Sequence, residues 1–202
     1  MKRRGQTRSR ILGCAEELMQ TCGFHGFSYH HIATRLGVRN AAVHYYFPSK
    51  VDLGLALVER YRENFRFWKE QLAVRRCTAV QALESFFELE GRYREQGKVC
   101  PLGVVGVEYP GIPEPMREAT RALLDEVVEW LTVTLQTGRA SGDLSFAGPP
   151  GERAVSLLAA LQGGLQLARI WQPSAFDRIV DELRQELGMP SGTERSALVA
   201  AG

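Results

Sequence analysis

FSYHHIATRLGVRNAAVHYYFPSK, residues Phe27 to Lys50, decides how this chain is read. Ser28 is placed to cap a helix, because a seryl oxygen can accept one of the N–H groups that a first turn leaves orphaned. Ile32, Ala33 and Leu36 then share one face at helical spacing. Gly37 can adopt the left-handed conformation that ends a helix. Val38 is the apolar residue that plugs the turn, and a second helix runs from Arg39 or Asn40 to Phe47. Pro48 stops it, Ser49 caps the next helix and Lys50 opens that helix. Two short helices joined by a glycine turn are the layout of a helix-turn-helix, whose second helix enters the DNA major groove.

That second helix is built unlike a core helix. Ala41 and Ala42 are small, so its face can approach a groove closely. Asn40, His44, Tyr45 and Tyr46 crowd donors and acceptors into less than two turns. Such groups suit base edges and phosphate oxygens. Phe47 and one of the two tyrosines are expected to face a small core.

The segment resembles the N-terminal domain of the TetR/AcrR family of transcriptional regulators. The resemblance rests on Phe27-Ser28, Ile32-Ala33, Gly37-Val38, Ala41, His44-Tyr45-Tyr46-Phe47 and Ser49-Lys50, with Leu53 following. Upstream, Arg10-Ile11-Leu12, Ala15, Leu18 and Gly23-Phe24 also fit. Three positions depart from the family's pattern. Arg39 stands for a Ser or Thr, Ala41 for a frequent Gly, and His44 for a common Tyr that touches phosphate. The resemblance implies DNA contacts from Ser28, Arg39, Asn40, Ala41, Ala42, His44, Tyr45, Tyr46 and Lys50.

Charge agrees with a polyanionic partner. Residues 1–50 hold eight Lys and Arg against Glu16 and Glu17, a net +6. The whole chain is +2 with His neutral, so residues 51–202 carry −4. The basic excess is thus confined to the segment that should meet DNA. The opening MKRRG reads as a mobile arm that adds phosphate contacts.

Composition excludes several classes. With 45% apolar residues the chain can build a core, yet no apolar run is long enough to span a membrane. The basic start leads into a polar helix rather than the apolar stretch of a signal peptide, so a cytoplasmic location is expected. Cys14, Cys22, Cys77 and Cys100 form no CxxC pair and have no His at zinc-finger spacing. Reduced thiols, no metal and no cofactor are expected. His30 and His31 point to different helix faces and lack an acidic neighbour. No nucleophile elbow, phosphate loop or Cys-His-acid set marks an enzyme.

Beyond Lys50 the pattern is helix upon helix. Helices are expected from Lys50 to about Arg75, Thr78 to Arg94, about Glu114 to Ala140, Glu152 to Trp171, and Pro173-Ser174 to about Leu187. Lys98 to Pro113, rich in Gly and Pro, reads as a broken stretch. The fold class is therefore all-α, with about nine helices. A three-helix, homeodomain-like head at 1–50 joins a larger helical domain at 51–187, followed by a disordered tail at 188–202.

The remaining site assignments follow from the resemblance. The family's last two helices form a four-helix dimer interface, which implies a homodimer through about residues 152–187, with Leu158, Leu161, Leu165, Ile179 and Leu183 facing the partner. Gly163-Gly164, costly inside a helix, fits a close backbone approach. Two symmetric reading helices would read a palindrome. The body should bind a small hydrophobic or aromatic effector. Candidate contacts are Phe65, Trp68, Phe87, Tyr93, Cys100, Glu108, Tyr109, Trp130 and Leu161. Glu108, in an apolar stretch, reads either as a ligand anchor or as a paired core carboxylate. The functional expectation is a ligand-responsive repressor of a palindromic operator. Its alternative is an electrophile or redox sensor of the same fold acting through Cys100.

Overall fold

The computed structural model describes residues 2–189, and side chains from residue 5 on. Met1 and the part of the expected tail from residue 190 on lie outside the described residues. Among the described residues the chain forms nine α-helices and one 3-10 turn, with no strand. None of these helices is long and apolar enough to cross a membrane.

The helices are α1 (Lys2–Cys22), α2 (Tyr29–Leu36), α3 (Asn40–Tyr46), α4 (Lys50–Val74), α5 (Ala79–Glu95), α6 (Pro101–Glu108), α7 (Glu114–Ser141), α8 (Pro150–Ile170) and α9 (Ser174–Glu186). Local chemistry accounts for several of these bounds. Ser49 and Asp52 cap α4 reciprocally. The Ser49 N–H donates to Asp52 Oδ2 at 2.9 Å, and the Asp52 N–H donates to Ser49 Oγ at 3.1 Å. Thr78 and Gln81 do the same for α5. The opening basic residues are not a separate arm, for the backbone is already helical from Lys2.

The stretch expected to be broken contains α6. Cys100 is its N-cap and Pro101 its first residue, where proline's missing N–H and fixed φ cost nothing. Val104 and Val105 are buried and hold the helix in place despite Gly103 and Gly106. The 3-10 turn Tyr109–Gly111 follows it.

Two compact units divide the described chain. One runs up to Lys69 and resumes at Gly97–Asp125; the other takes Glu70–Gln96 and the part from Glu126 on. The first therefore holds the expected head and more of the chain besides. Its core includes Ile11, Met19, Ile32, Phe47, Leu53, Leu57 and Met116. The core of the second includes Leu83, Phe86, Leu131, Leu135, Leu157 and Leu161.

In the second unit α8 packs on both α5 and α9. A methyl group at Gly164 would lie 3.1 Å from Ile179 Cδ1 and 3.3 Å from Phe176, so this glycine admits α9. Nothing lies within 4 Å of the same position on Gly163. Arg184 joins α9 to α5 by donating to both oxygens of Glu84 at 3.0 and 2.8 Å. After α9, Gly188 takes φ 64°, and the Met189 N–H closes on the Arg184 carbonyl at 2.9 Å. Gly188 and Met189 thus belong to the ordered helix end rather than to a tail.

The residues expected to face a partner turn inward in the single chain. Leu158, Leu161, Leu165 and Leu183 are all buried within their own unit, and Ile179 is half-buried against Gly164. The exposed apolar stripe of α8 is a different one, formed by Val155, Ala159, Gly163, Leu167 and Ile170, with Trp171 at its end. Both stripes have helical spacing, and the apolar pattern of α8 runs most of the way round.

Candidate nucleic-acid interface

The turn between α2 and α3 is fixed by main-chain geometry. Gly37 takes φ 64°, and the Val38 N–H donates to the Ala33 carbonyl at 3.0 Å. At the other end of α2, Ser28 is in extended conformation and its N–H donates to His31 Nδ1 at 3.1 Å. A histidine therefore fills the reach-back position that Glu or Gln usually takes. Tyr29, Ile32 and Ala33 bury the inner face of α2.

Helix α3 shows its two sides clearly. Val43, and Phe47 at its C-cap, are buried. Arg39, Asn40, Ala41, His44 and Tyr45 are exposed, Tyr45 at 63%. Ala42 and Tyr46 are half-buried at the flanks. The Tyr45 and Tyr46 rings meet edge to face at 5.1 Å, and His44 meets Tyr29 in the same way at 4.6 Å. Tyr46 is thus the tyrosine that leans on the core. Ser28, at the start of α2, is also exposed.

Beneath this face lies Tyr29, which the sequence reading did not single out. Its buried hydroxyl donates to the Phe47 carbonyl at 2.8 Å. Burial, and then the charge of Asp52, push its phenol up to about 12. It stays a neutral donor throughout the physiological range. The available signal was an aromatic directly after a helix cap.

Lys50 is placed differently from a surface phosphate contact. Its ammonium turns inward, donates to the Phe27 carbonyl and lies 4.8 Å from the ring centres of both Phe24 and Phe27. Burial pushes its pKa down, opposed by the charges of Glu108 and Cys22. The side chain closes the head from within.

Glu108 is likewise spent on structure. Its Oε2 accepts the Phe24 N–H at 2.5 Å and its Oε1 the His25 N–H at 3.1 Å. A Cβ at Gly23, where φ is 77°, would stand 2.7 Å from the same carboxylate. The end of α6 is thereby tied to the corner between α1 and α2, while Val99 N–H to the Gln20 carbonyl ties its beginning to α1. Of the two readings open for Glu108, the paired carboxylate is the one the geometry supports.

The other candidate effector contacts fall into both units. In the first, Phe65 stacks on Trp68 at 5.6 Å with an angle of 22°, Tyr109 is half-buried, and Cys100 is buried at 4% exposure. In the second, Trp130 packs on Phe86 at 5.4 Å, Phe87 lies beneath the Arg184 guanidinium, Leu161 is fully buried and Tyr93 is half-buried. No group of three or more His, Cys, Asp or Glu is arranged for a metal among the described residues.

The comparisons agree with this geometry. Residues 11–57 match the bacterial regulatory proteins of the tetR family, and residues 78–183 match the tetracyclin repressor-like C-terminal domain. The HTH-type transcriptional repressor NemR of Escherichia coli K12 is 26% identical over 181 residues, covering 81% of this chain and 84% of NemR. A TetR-family transcriptional regulator from Agrobacterium tumefaciens superposes with a TM-score of 0.86 at 27% identity, covering 91% of this chain and 98% of that one. A regulator from Saccharomonospora viridis, solved in complex with choline, gives 0.71 at 28% identity, covering 90% and 95%. An exposed α3 on a capped helix-turn-helix, followed by a matching helical C-terminal domain, makes this chain a member of the TetR family of DNA-binding transcriptional regulators.

Proposed function

We propose that the chain is a homodimeric repressor that reads a palindromic operator with α3 of each copy and is released by a small hydrophobic or aromatic effector. The observation that carries the DNA part is the exposed set Arg39, Asn40, Ala41, His44 and Tyr45 on a helix whose opposite face is buried. Ala41 lets the helix sit close to base edges, and the polar groups around it supply donors and acceptors. Ser28, Ala42 and Tyr46 border this set. The protein would act in the cytoplasm, where its DNA lies.

Dimerisation is supported by the uncovered stripe on α8. Val155 is 52% exposed and Ile170 81%, and Gly163 leaves room for close approach of a second backbone. One short helix reads too few base pairs for a genomic site, whereas a symmetric pair reads two half-sites. Effector release follows if the ligand binds better to a form whose heads do not fit both half-sites. The choline complex of the S. viridis regulator supports a small-molecule ligand for a protein of this fold.

The test is selection of bound sequences from random duplex DNA by the purified protein. An enriched palindrome supports the reading, and binding without sequence preference overturns it. A second reading, thiol sensing by Cys100, draws support from the placement of that residue at the N-terminal end of α6. Its burial speaks against easy access by an oxidant or electrophile. Treatment with N-ethylmaleimide separates the two: loss of operator binding in the wild type but not in Cys100→Ser would favour the thiol.

A further inference from the structure

Arg8 stands on α1, exposed, with its guanidinium 5.1 Å from the centre of the Phe47 ring. Phe47 is buried and caps the C-terminal end of α3. Arg8 is therefore held at one end of the reading helix by a residue of that helix's own cap. No carboxylate pairs with Arg8 among the described residues, whereas Arg60, also in this unit, pairs with Glu16 at 2.9 Å. Lys50, three residues beyond Phe47, turns its charge inward and leaves this end of α3 without its expected cation.

A guanidinium over a ring keeps its in-plane N–H edge available, and that edge matches phosphate oxygens two at a time. The stacking also limits the rotamers that would be lost on binding. A cation so placed beside a recognition helix meets the backbone of the groove that the helix enters.

We propose that Arg8, held against the Phe47 ring, contacts a DNA phosphate at the C-terminal end of α3 and takes the place that the sequence pattern gave to Lys50. The proposal rests on the reading of α3 as the DNA-contacting helix. Arg8 carries no base information; it fixes how α3 lies in the groove and adds affinity for any sequence.

The experiment measures binding of the full-length protein to a mixed-sequence duplex of about 30 base pairs, titrated between about 50 and 300 mM KCl. For Arg8→Ala the slope of log K against log salt should become shallower by about 0.9 for each Arg8 engaged, with affinity near 0.1 M salt falling about eightfold per engaged residue. Arg8→Lys should keep the wild-type slope, because the charge stays. If Arg8→Ala folds and keeps the wild-type slope, the proposal is overturned, even where affinity falls, since Arg8 would then only support Phe47. Binding by the wild type that does not depend on salt would overturn the DNA-contact reading of the head as well.

Discussion

The hydroxyl of Tyr29 donates to the main-chain carbonyl of Phe47 at 2.8 Å, which joins the first residue of α2 to the last turn of α3. Tyr29→Phe leaves that buried carbonyl without its donor and should cost about 1 kcal/mol of stability at neutral pH. The pH dependence has a definite sign. The phenol is raised from its ordinary 10 to about 12 by burial, so the folded state holds the proton more tightly than the unfolded state. This contribution is complete below the ordinary value and is lost as pH rises toward about 12. Tyr61, pushed up further by its own burial, adds to the same decline. Denaturant unfolding of Tyr29→Phe at alkaline pH should therefore show a flatter loss than the wild type, and an identical slope would refute the assignment.

Lys50→Met tests the inward placement of that ammonium. The apolar stem can still fill its space, but the bond to Phe27 and the attraction to two rings are lost. Each such ring contact contributes roughly 0.5–1 kcal/mol. The thermal midpoint should fall while the salt dependence of DNA binding stays unchanged. A shallower salt slope at constant stability would return Lys50 to the phosphate contacts.

Glu108→Ala removes the acceptor for two main-chain N–H groups at the corner between α1 and α2. The expected cost is about 1–3 kcal/mol, the usual range when a polar group loses its partner. Amide hydrogen exchange at Phe24 and His25 should accelerate more than exchange within α3. Unchanged protection there would show that the carboxylate is dispensable.

The two adjacent glycines of α8 should respond differently. Gly164→Leu places a side chain where Ile179 and Phe176 already stand, and overpacking of this kind costs about 1–3 kcal/mol. Gly163→Arg points into open space in one chain, so its folding should be little affected. Light scattering after gel filtration should nevertheless report a monomer for Gly163→Arg. A stable dimer in that variant would move the interface away from the exposed stripe of α8.

Much of the head was legible because its signals are local. Ser28, Gly37, Pro48 and Ser49 each act within a few residues of themselves, so they mark the bounds of α2 and α3 in the sequence itself. Helix α6 was not legible, because Gly103 and Gly106 look like interruptions until the burial of Val104 and Val105 is known. The leucines of α8 were assigned to a partner because the family resemblance names the dimer helices, and periodicity marks an apolar face without saying what covers it. Lys50 was assigned to DNA for a related reason. A long side chain on a surface helix can turn either way, and only the rings of Phe24 and Phe27 decide its direction. Arg8 left no motif at all, since its partner lies far along the chain.

The tie between α6 and the corner after α1 is one-sided in what it asks of heredity. Both donors belong to the main chain, so almost any residue at positions 24 and 25 offers the same N–H groups. The acceptor comes from a single side chain, Glu108. Drift at positions 24 and 25, with Gly23 kept, leaves the connection standing, whereas one nucleotide change in the codon for residue 108 can sever it. A lineage could therefore loosen or restore the grip of α6 on its reading head without rewriting any residue that faces DNA.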